Sequence, residues 1–323
     1  MVTRRTLLKG LGSGILAGGL PAPVAVAADR PLKVVATTGM IADAARRVGG
    51  DLVEVRALMG PGVDPHSYRQ TRTDIVATAK ADLVLWNGLY LEAQMEDVLA
   101  ELARRVPVVA LAESVPEDRR IAHDDYAGRF DPHVWMDPGL WRLVVLATRD
   151  ALLSVKPDGA AAFAASADAF LAELDRLDAY SSRVLSTVPE AARVLVTAHD
   201  AFNYLGRAYG YEVVGIQGIS TESEAGLNRM TELVDLIVER RIAAVFVESS
   251  VSDRLVRALV EGTAATGWNA RIGGELYSDA MGAAGTYEGT YVGMIDHNVT
   301  AIAGGLGGNV PPRGMSGRLS AGS

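Results

Sequence analysis

The sequence predicts an α/β fold: two (β/α)4-type lobes with parallel sheets, joined by one long rigid α-helix. Short β-branched runs recur along the chain with Ala-, Leu- and Arg-rich segments between them, which is the pattern of parallel α/β units rather than of an all-β sandwich. Apolar residues make up 49% of the 323 residues, which is enough to build substantial cores. We therefore expect two medium-sized lobes.

Eight segments have the composition of buried strands, four in each lobe. We assign the first lobe to residues 29–156 and the second to residues 191–306. The predicted strands are residues 32–38, 52–59, 81–88 and 106–112 in the first lobe, and residues 192–198, 211–218, 242–249 and 270–276 in the second.

The segment between the lobes, residues 157–190, is predicted to be a single connecting helix. From Ala160 to about Thr187 it contains neither Gly nor Pro and is rich in strong helix formers. Its large apolar residues recur at mostly helical spacing: Phe163, Phe170, Leu174, Leu177 and Tyr180. A helix of this length spans on the order of 40 Å, and because a helix is a stiff connection we expect little hinge motion.

The first 28 residues have the features of an export signal. They begin with basic residues, continue with a weakly apolar stretch rich in Gly, Leu and Ala, and end with alanines at A-x-A positions. A twin arginine near the start resembles that of Tat signals. We expect cleavage near Ala27/Ala28 and a periplasmic mature protein, and a short signal-anchor helix is the alternative. No later stretch is long and apolar enough for a membrane span.

Charge and cysteine content narrow the range of partners. Removing the signal takes away Arg4, Arg5 and Lys9 and no acidic residue, so the formal charge changes from −8 to −11. An acidic chain argues against nucleic acid as a partner and attracts cations. Cysteine is absent, so the fold has no disulfide and any metal site must use ligands other than thiolate. The Gly-, Pro- and Ser-rich residues 307–323 are predicted to be a flexible tail.

The tripeptide Asp-Pro-His occurs twice, at residues 64–66 and 131–133, although the chain has only five histidines. Proline fixes its own φ and favours an extended conformation in the residue before it, so it holds the following histidine on a rigid loop. Such rigidity suits a metal ligand. The alternative is that Asp-Pro initiates a turn and that the histidines are incidental surface residues.

Four candidate ligands lie on strand exits or on a long connection. In open α/β sheets, ligands bind beyond the carboxyl ends of the strands. His66 follows a first-lobe strand, and His199 and Asp279 follow second-lobe strands. His133 lies on the connection after the fourth strand, before a helix that Asp137 caps. Taken singly, His199 reads equally well as a capping or core histidine, and Asp279 as a helix N-cap.

Three imidazoles and one carboxylate make an N3O ligand set, which suits zinc in four-coordinate geometry. Ligands this far apart in the chain need a preformed cleft. Around them, we expect Asp64 and Asp131 to fix the imidazole tautomers by accepting ring N–H groups. Glu248 is expected to anchor loop backbone, and Trp135 is expected to lie among the residues around the four ligands.

The two remaining histidines are weaker candidates. His123 lies in a polar loop within residues 113–130, and its role is left open. His297 has the pattern of an exposed position on the last helix. Neither is assigned to the site.

Several motifs, in order along residues 32–306, resemble those of the metal-specific solute-binding proteins of bacterial ABC transporters, the ZnuA and TroA group. They are VVATTGMIADAARRVGG, LMGPGVDPHSYRQTRTDI, NGLYLE, DPHVWMDP, TAHDAFNYLGRAYG, GISTESEAG, AAVFVESSV and GELYSDAMGAAGTYEGTYVGMIDHN. The resemblance implies a fold of the helical-backbone metal receptor type, with one metal ion in the cleft between the lobes. It also implies an ABC permease and its ATPase as partners, and we expect a monomer.

Carried over by position, the resemblance implies His66, His133, His199 and Asp279 as ligands of one transported Zn2+ or Mn2+ ion per chain. Manganese-specific relatives have Glu at the place of His199, so this chain favours zinc. The TroA-like C-terminal half is compatible with both metals. Many zinc-binding members carry a His-rich loop before the second ligand, whereas residues 113–130 are short and hold only His123.

The expected function is capture of a divalent cation in the periplasm and delivery to an ABC importer, without catalysis. One alternative is a zinc-dependent hydrolase. Four protein ligands leave no coordination position for water, however, and the chain has neither an HExxH motif nor a GxSxG elbow. Another alternative is a metal-stabilised surface or adhesion protein, which would unfold when its metal is removed.

Overall fold

The first four strands form one parallel sheet. The structure is a computed structural model, and it describes residues 30–123, 128–223 and 225–320. The predicted export signal at residues 1–28 lies outside these ranges. The strands are β1 (Leu32–Ala36), β2 (Val53–Ala57), β3 (Leu83–Trp86) and β4 (Val108–Ala110). Their order in the sheet is β2-β1-β3-β4, and every neighbouring pair is parallel.

Helices connect and follow these strands. They are α1 (Gly39–Gly49), α2 (Arg72–Ala79), α3 (Glu96–Leu102) and α4 (Pro138–Val155). The start of α4 confirms the predicted cap, because the Asp137 carboxylate accepts the backbone N–H groups of Gly139 and Leu140, and Pro138 is the first helical residue.

The predicted connecting helix is confirmed as α5 (Ala160–Leu185). It buries one stripe of side chains that includes all five of the apolar residues that predicted it, and this stripe packs against α1 and α4. The exposed positions of the opposite face are mainly alanines together with charged residues and a serine. No helix within residues 30–123, 128–223 and 225–320 is both long enough and apolar enough to span a membrane.

The second lobe contains the other four predicted strands. They are β5 (Val194–Thr197), β6 (Glu212–Gly215), β7 (Ala244–Glu248) and β8 (Arg271–Leu276). The structure pairs them as two parallel two-stranded sheets, β5 with β6 and β7 with β8, and β5 lies beside β7. The intervening helices are α6 (Asn203–Tyr209), α7 (Leu227–Glu239) and α8 (Arg254–Ala265). All eight observed strands lie within the segments predicted for them.

The last helix, α9 (Tyr291–Gly305), reaches both lobes and is buried on nearly all sides. It packs against α5 and β8. At its start, the Tyr291 ring stacks on Trp141 with centroids 5.0 Å apart, and the Tyr291 N–H donates to Asp43 Oδ2 at 3.1 Å. The prediction that His297 is exposed is therefore wrong. Its side chain is only 8% exposed, and ring Nε2 lies 2.9 Å from the carbonyl oxygen of Glu275.

Residues 307–320 also differ from the predicted flexible tail. Leu319 is buried, the Met315 N–H donates to the carboxylate of Asp296, and the Ser320 N–H donates to Glu288 Oε1. The composition of this segment predicts disorder. Composition does not show that buried carboxylates can accept hydrogen bonds from the backbone N–H groups of the segment. The chain from Pro31 onward forms one contact unit. The lobe boundaries after residues 156 and 190 therefore stay predictions.

Replacing Phe170 on α5 by alanine should lower the free energy of unfolding by about 3–5 kcal/mol. The ring is 2% exposed, lies under the Arg47 guanidinium of α1 at 3.9 Å, and meets the Tyr291 ring edge-to-face. Denaturant unfolding measures the change. Leu227→Ala is the control, since that side chain is 82% exposed and the expected change is within about 0.5 kcal/mol. Equal effects of the two substitutions would contradict this packing.

Candidate metal centre

Four side chains from distant parts of the chain meet where the lobes face each other. His66 follows β2, His133 precedes the 3₁₀ turn Val134–Met136, His199 follows β5 and Asp279 follows β8. One ring nitrogen from each histidine and a carboxylate oxygen lie within 4.8 Å of one another, and all four side chains are buried. Residues 277–290 contain no helix, so the reading of Asp279 as a helix N-cap is wrong.

The spacing within this cluster matches a four-coordinate shell. His133 Nε2 lies 3.3 Å from His66 Nε2 and 3.4 Å from Asp279 Oδ1. Asp279 Oδ2 lies 3.2 Å from His199 Nε2 and 3.8 Å from His66 Nε2. Around a tetrahedral zinc ion with bonds of about 2.0–2.1 Å, neighbouring ligand atoms are about 3.3–3.4 Å apart. One ion can therefore contact all four side chains after small adjustments.

Three of the atoms facing the centre lack hydrogen bonds. His199 Nε2 and both carboxylate oxygens of Asp279 are buried, and among the described residues none has a partner with hydrogen-bond geometry. The 3.2 Å contact between His199 and Asp279 is an ion-pair distance only. Because buried polar atoms without partners are unfavourable, their convergence on one point fits a site that binds a cation.

The two Asp-Pro-His segments form the same local turn. Asp64 Oδ1 accepts the backbone N–H of His66, and Asp131 Oδ1 accepts that of His133, both at 2.9 Å. These are turns closed by an Asp side chain, so the turn-initiator reading holds for both copies. The incidental-surface part of that reading is wrong, because both histidines are buried in the cluster.

Two carboxylates also orient the imidazole rings. Asp131 Oδ1 lies 2.7 Å from His133 Nδ1, and Glu248 Oε2 lies 2.6 Å from His199 Nδ1. Because a carboxylate accepts hydrogen bonds, each pair places the proton on Nδ1 and turns Nε2 toward the centre. Glu248 Oε1 also accepts the His199 backbone N–H at 2.8 Å, so its predicted backbone role is accompanied by a ring contact.

Asp64 does not act on its histidine ring as predicted. Its Oδ2 atom accepts the hydroxyl groups of Ser67 at 3.0 Å and Thr221 at 2.7 Å, and its Oδ1 atom accepts the His66 backbone N–H. The carboxylate–ring contact on which the tautomer hypothesis depends is therefore present for Asp131 and absent for Asp64. Repetition of the tripeptide predicted the shared turn but not which carboxylate also reaches a ring.

Trp135 was assigned to this region without a role, and the structure shows its contacts. Its ring meets the His133 ring edge-on with centroids 5.1 Å apart, and its Nε1–H donates to the carbonyl oxygen of Ser278 at 2.8 Å. Sequence reasoning missed Asn203, whose Nδ2 donates to Asp131 Oδ2 at 3.1 Å. No spacing rule points to a partner 72 residues away, although Asn203 lies inside one of the motifs quoted above.

Burial and charge give the four groups different pKa values. Burial lowers the pKa of His66 to about 4, with the two other imidazoles adding to the effect. Burial also acts to lower the pKa of His133, but the carboxylates of Asp131 and Asp279 outweigh it and raise the pKa to about 9. In the same way, Glu248 and Asp279 raise the pKa of His199 well above its usual value. Burial acts to raise the pKa of Asp279, but His199 and His133 hold it well below the usual range.

The family described as zinc-uptake complex component A, periplasmic (ZnuA), matches residues 34–305. The chain belongs to this family. The manganese-binding lipoprotein MntA of Bacillus subtilis is 47% identical over 279 residues, which cover 86% of this chain and 91% of that protein. The zinc-binding protein TroA of Treponema pallidum is 46% identical over 280 residues, covering 87% and 90%. The iron-binding protein YfeA of Yersinia pestis is 32% identical over 278 residues, covering 86% and 87%.

A solved structure of TroA from Treponema pallidum has the same fold. It superimposes with a TM-score of 0.83 at 46% identity and covers 85% of this chain and 99% of that chain. The predicted fold class, two α/β lobes with parallel strands and a long connecting helix, is confirmed.

Asp131→Asn should lower the pKa of His133 from about 9, because a neutral amide no longer favours the charged ring. A histidine NMR titration of the metal-free protein measures this. Asp64→Asn is the matched control, since Asp64 makes the same turn without touching its ring, and it should leave the pKa of His133 in place. An unchanged pKa of His133 in Asp131→Asn would contradict the contact.

Proposed function

We propose that the mature protein captures one divalent cation in the periplasm and delivers it to an ABC permease driven by a cytoplasmic ATPase. The proposed ligands are His66, His133, His199 and Asp279, and the observation that carries the proposal is their convergence in a buried, closed shell. The Tat-like start of the sequence supports export, with cleavage near Ala27/Ala28.

The enclosed site favours a carrier over a hydrolase. A catalytic zinc ion has three protein ligands and an open position for water, whereas here four protein side chains lie close enough together to bind one ion. None of the four is more than 3% exposed. The named roles of MntA, TroA and YfeA, each described as binding a metal, support the same conclusion.

Zinc is the favoured cargo, and manganese is the alternative. A set of three imidazole nitrogens and one carboxylate oxygen suits zinc, and nitrogen-rich sites bind zinc more tightly than manganese. The ion that the protein carries depends on the concentration of each metal as well as on its affinity. Metal supply in the periplasm therefore also decides the cargo.

His199→Ala should raise the dissociation constant for zinc by more than about 100-fold, beyond the loss typical for residues that only support a ligand. Competition with a chelating zinc indicator measures the constant, and circular dichroism checks that the metal-free variant is folded. His123→Ala is the control, because His123 lies outside the cluster. An unchanged constant would remove His199 from the shell. Unfolding of the wild-type protein when its metal is removed would favour the metal-stabilised surface protein.

Zinc binding at pH 7 should release about two protons per ion, one each from His133 and His199. The pKa of His133 is raised to about 9 and that of His199 is raised well above its usual value, so both rings favour the charged form in the metal-free site, whereas the lowered pKa values of His66 and Asp279 favour a neutral ring and an ionised carboxylate. Affinity should therefore fall as the pH drops. Calorimetry in buffers of different ionisation enthalpy counts the protons. Release of none would contradict the charge states assigned to His133 and His199.

A further inference from the structure

A first-lobe residue, Trp135, forms a hydrogen bond with the second-lobe segment that contains Asp279. Trp135 lies two residues after His133, is buried, and donates its Nε1–H to the carbonyl oxygen of Ser278 at 2.8 Å. Ser278 directly precedes Asp279. Trp135 is itself fixed, because the Tyr291 hydroxyl donates to its carbonyl oxygen at 2.8 Å.

The second lobe in turn holds the carboxylate that orients a first-lobe imidazole. Asn203, the first residue of α6, donates its Nδ2–H to Asp131 Oδ2 at 3.1 Å. The hydroxyl of Tyr204 donates to the carbonyl oxygen of Asp131 at 2.9 Å. Asp131 is the residue whose other oxygen lies 2.7 Å from His133 Nδ1.

We propose that Trp135 and Asn203 are positioning residues that make the metal shell depend on contact between the lobes, since each aims a ligand of the opposite lobe. This inference rests on the proposed function. When the lobes separate, Asp279 loses the indole that holds its segment, and His133 loses the amide that holds its orienting carboxylate. Release of the ion then needs only a small opening.

The physical reason is the short range of a hydrogen bond. A donor and acceptor 2.8–3.1 Å apart lose most of their interaction when the distance grows by about 1 Å. If each lobe held its own two ligands in place, an opened protein would keep two preformed pairs and residual affinity. Because Trp135 supports the segment of Asp279 and Asn203 supports the carboxylate that orients His133, the same opening shifts one ligand in each lobe.

Among the described residues, backbone hydrogen bonds from within the second lobe reach Tyr277, one residue before Ser278. Asn298 on α9 accepts the Tyr277 N–H at 2.9 Å and donates to the Tyr277 carbonyl oxygen at 2.7 Å. The Ser278 side chain contacts Ser250 at 2.9 Å, but its carbonyl oxygen is held by the first lobe. Asp279 directly follows Ser278. The last backbone hydrogen bond before its carboxylate therefore comes from Trp135 of the first lobe.

The test removes the indole N–H together with part of the buried ring. Trp135→Phe keeps an aromatic ring against His133 and should raise the dissociation constant for zinc about 10–100-fold, mainly through faster dissociation. Trp268→Phe is the matched control, because Trp268 also donates its Nε1–H to a backbone carbonyl, that of Ile242, at 2.8 Å within the second lobe. Its constant for zinc should match the wild type. Stopped-flow dissociation into a chelator gives the rates.

A double-variant experiment separates positioning from general loosening. In an Asp279→Ala background, Trp135→Phe should have less than about a twofold further effect, because the ligand it aims is gone. In the same background, Asn203→Ala should still weaken zinc binding, since it acts through His133. Asn203→Ala in the wild type is the second route should Trp135→Phe fail to fold.

The outcomes distinguish this inference from the function on which it rests. A wild-type protein that does not bind zinc would overturn the proposed function. A wild type that binds zinc, together with Trp135→Phe and Asn203→Ala variants that bind it equally well, would overturn the crossed support and leave the function in place. A full effect of Trp135→Phe in the Asp279→Ala background would show that Trp135 does not act through Asp279, and would likewise overturn it.

Discussion

The structure depends on one electrostatic constraint: a fully buried carboxylate, Asp279, faces three buried imidazoles. A lone buried carboxylate is unfavourable in a protein interior, and the site tolerates it because the raised pKa values of His133 and His199 favour a proton on each of these neighbouring rings when no metal is present. A divalent cation can replace those two protons. The same pocket can therefore stay folded in both states, which is what a carrier needs and what a protein stabilised by its metal does not have.

The fold delivers these groups with rigid parts. The strands β2, β5 and β8 belong to three different parallel sheets, and each leads into a segment that carries one ligand. The proline of each Asp-Pro-His turn fixes the loop in front of the histidine, and the Asp side chain closes the turn. α5 and α9 then connect the two lobes through buried contacts.

Much of this could be predicted from sequence because it depends on local patterns. Strand runs, the uninterrupted helix of α5, and rare histidines behind Asp-Pro all leave periodic or compositional signals. The strand-exit rule then identified His66, His199 and Asp279 as candidate ligands, and the repeated Asp-Pro-His tripeptide identified His133. What failed depends on long-range packing. The burial of His297, the packing of Leu319 and the contact of Asn203 with Asp131 arise from partners distant in the chain, which no local pattern records. Asp64 and Asp131 begin the same tripeptide but make different contacts, which shows the same limit.

The central claim is that these four side chains bind one ion. Anomalous diffraction at the zinc edge, from crystals of the zinc-loaded protein, tests it most directly. The account predicts a single strong peak about 2.0–2.2 Å from the Nε2 atoms of His66, His133 and His199 and from a carboxylate oxygen of Asp279. A zinc-loaded protein whose peak lies elsewhere, or whose four side chains do not surround the peak, would contradict it.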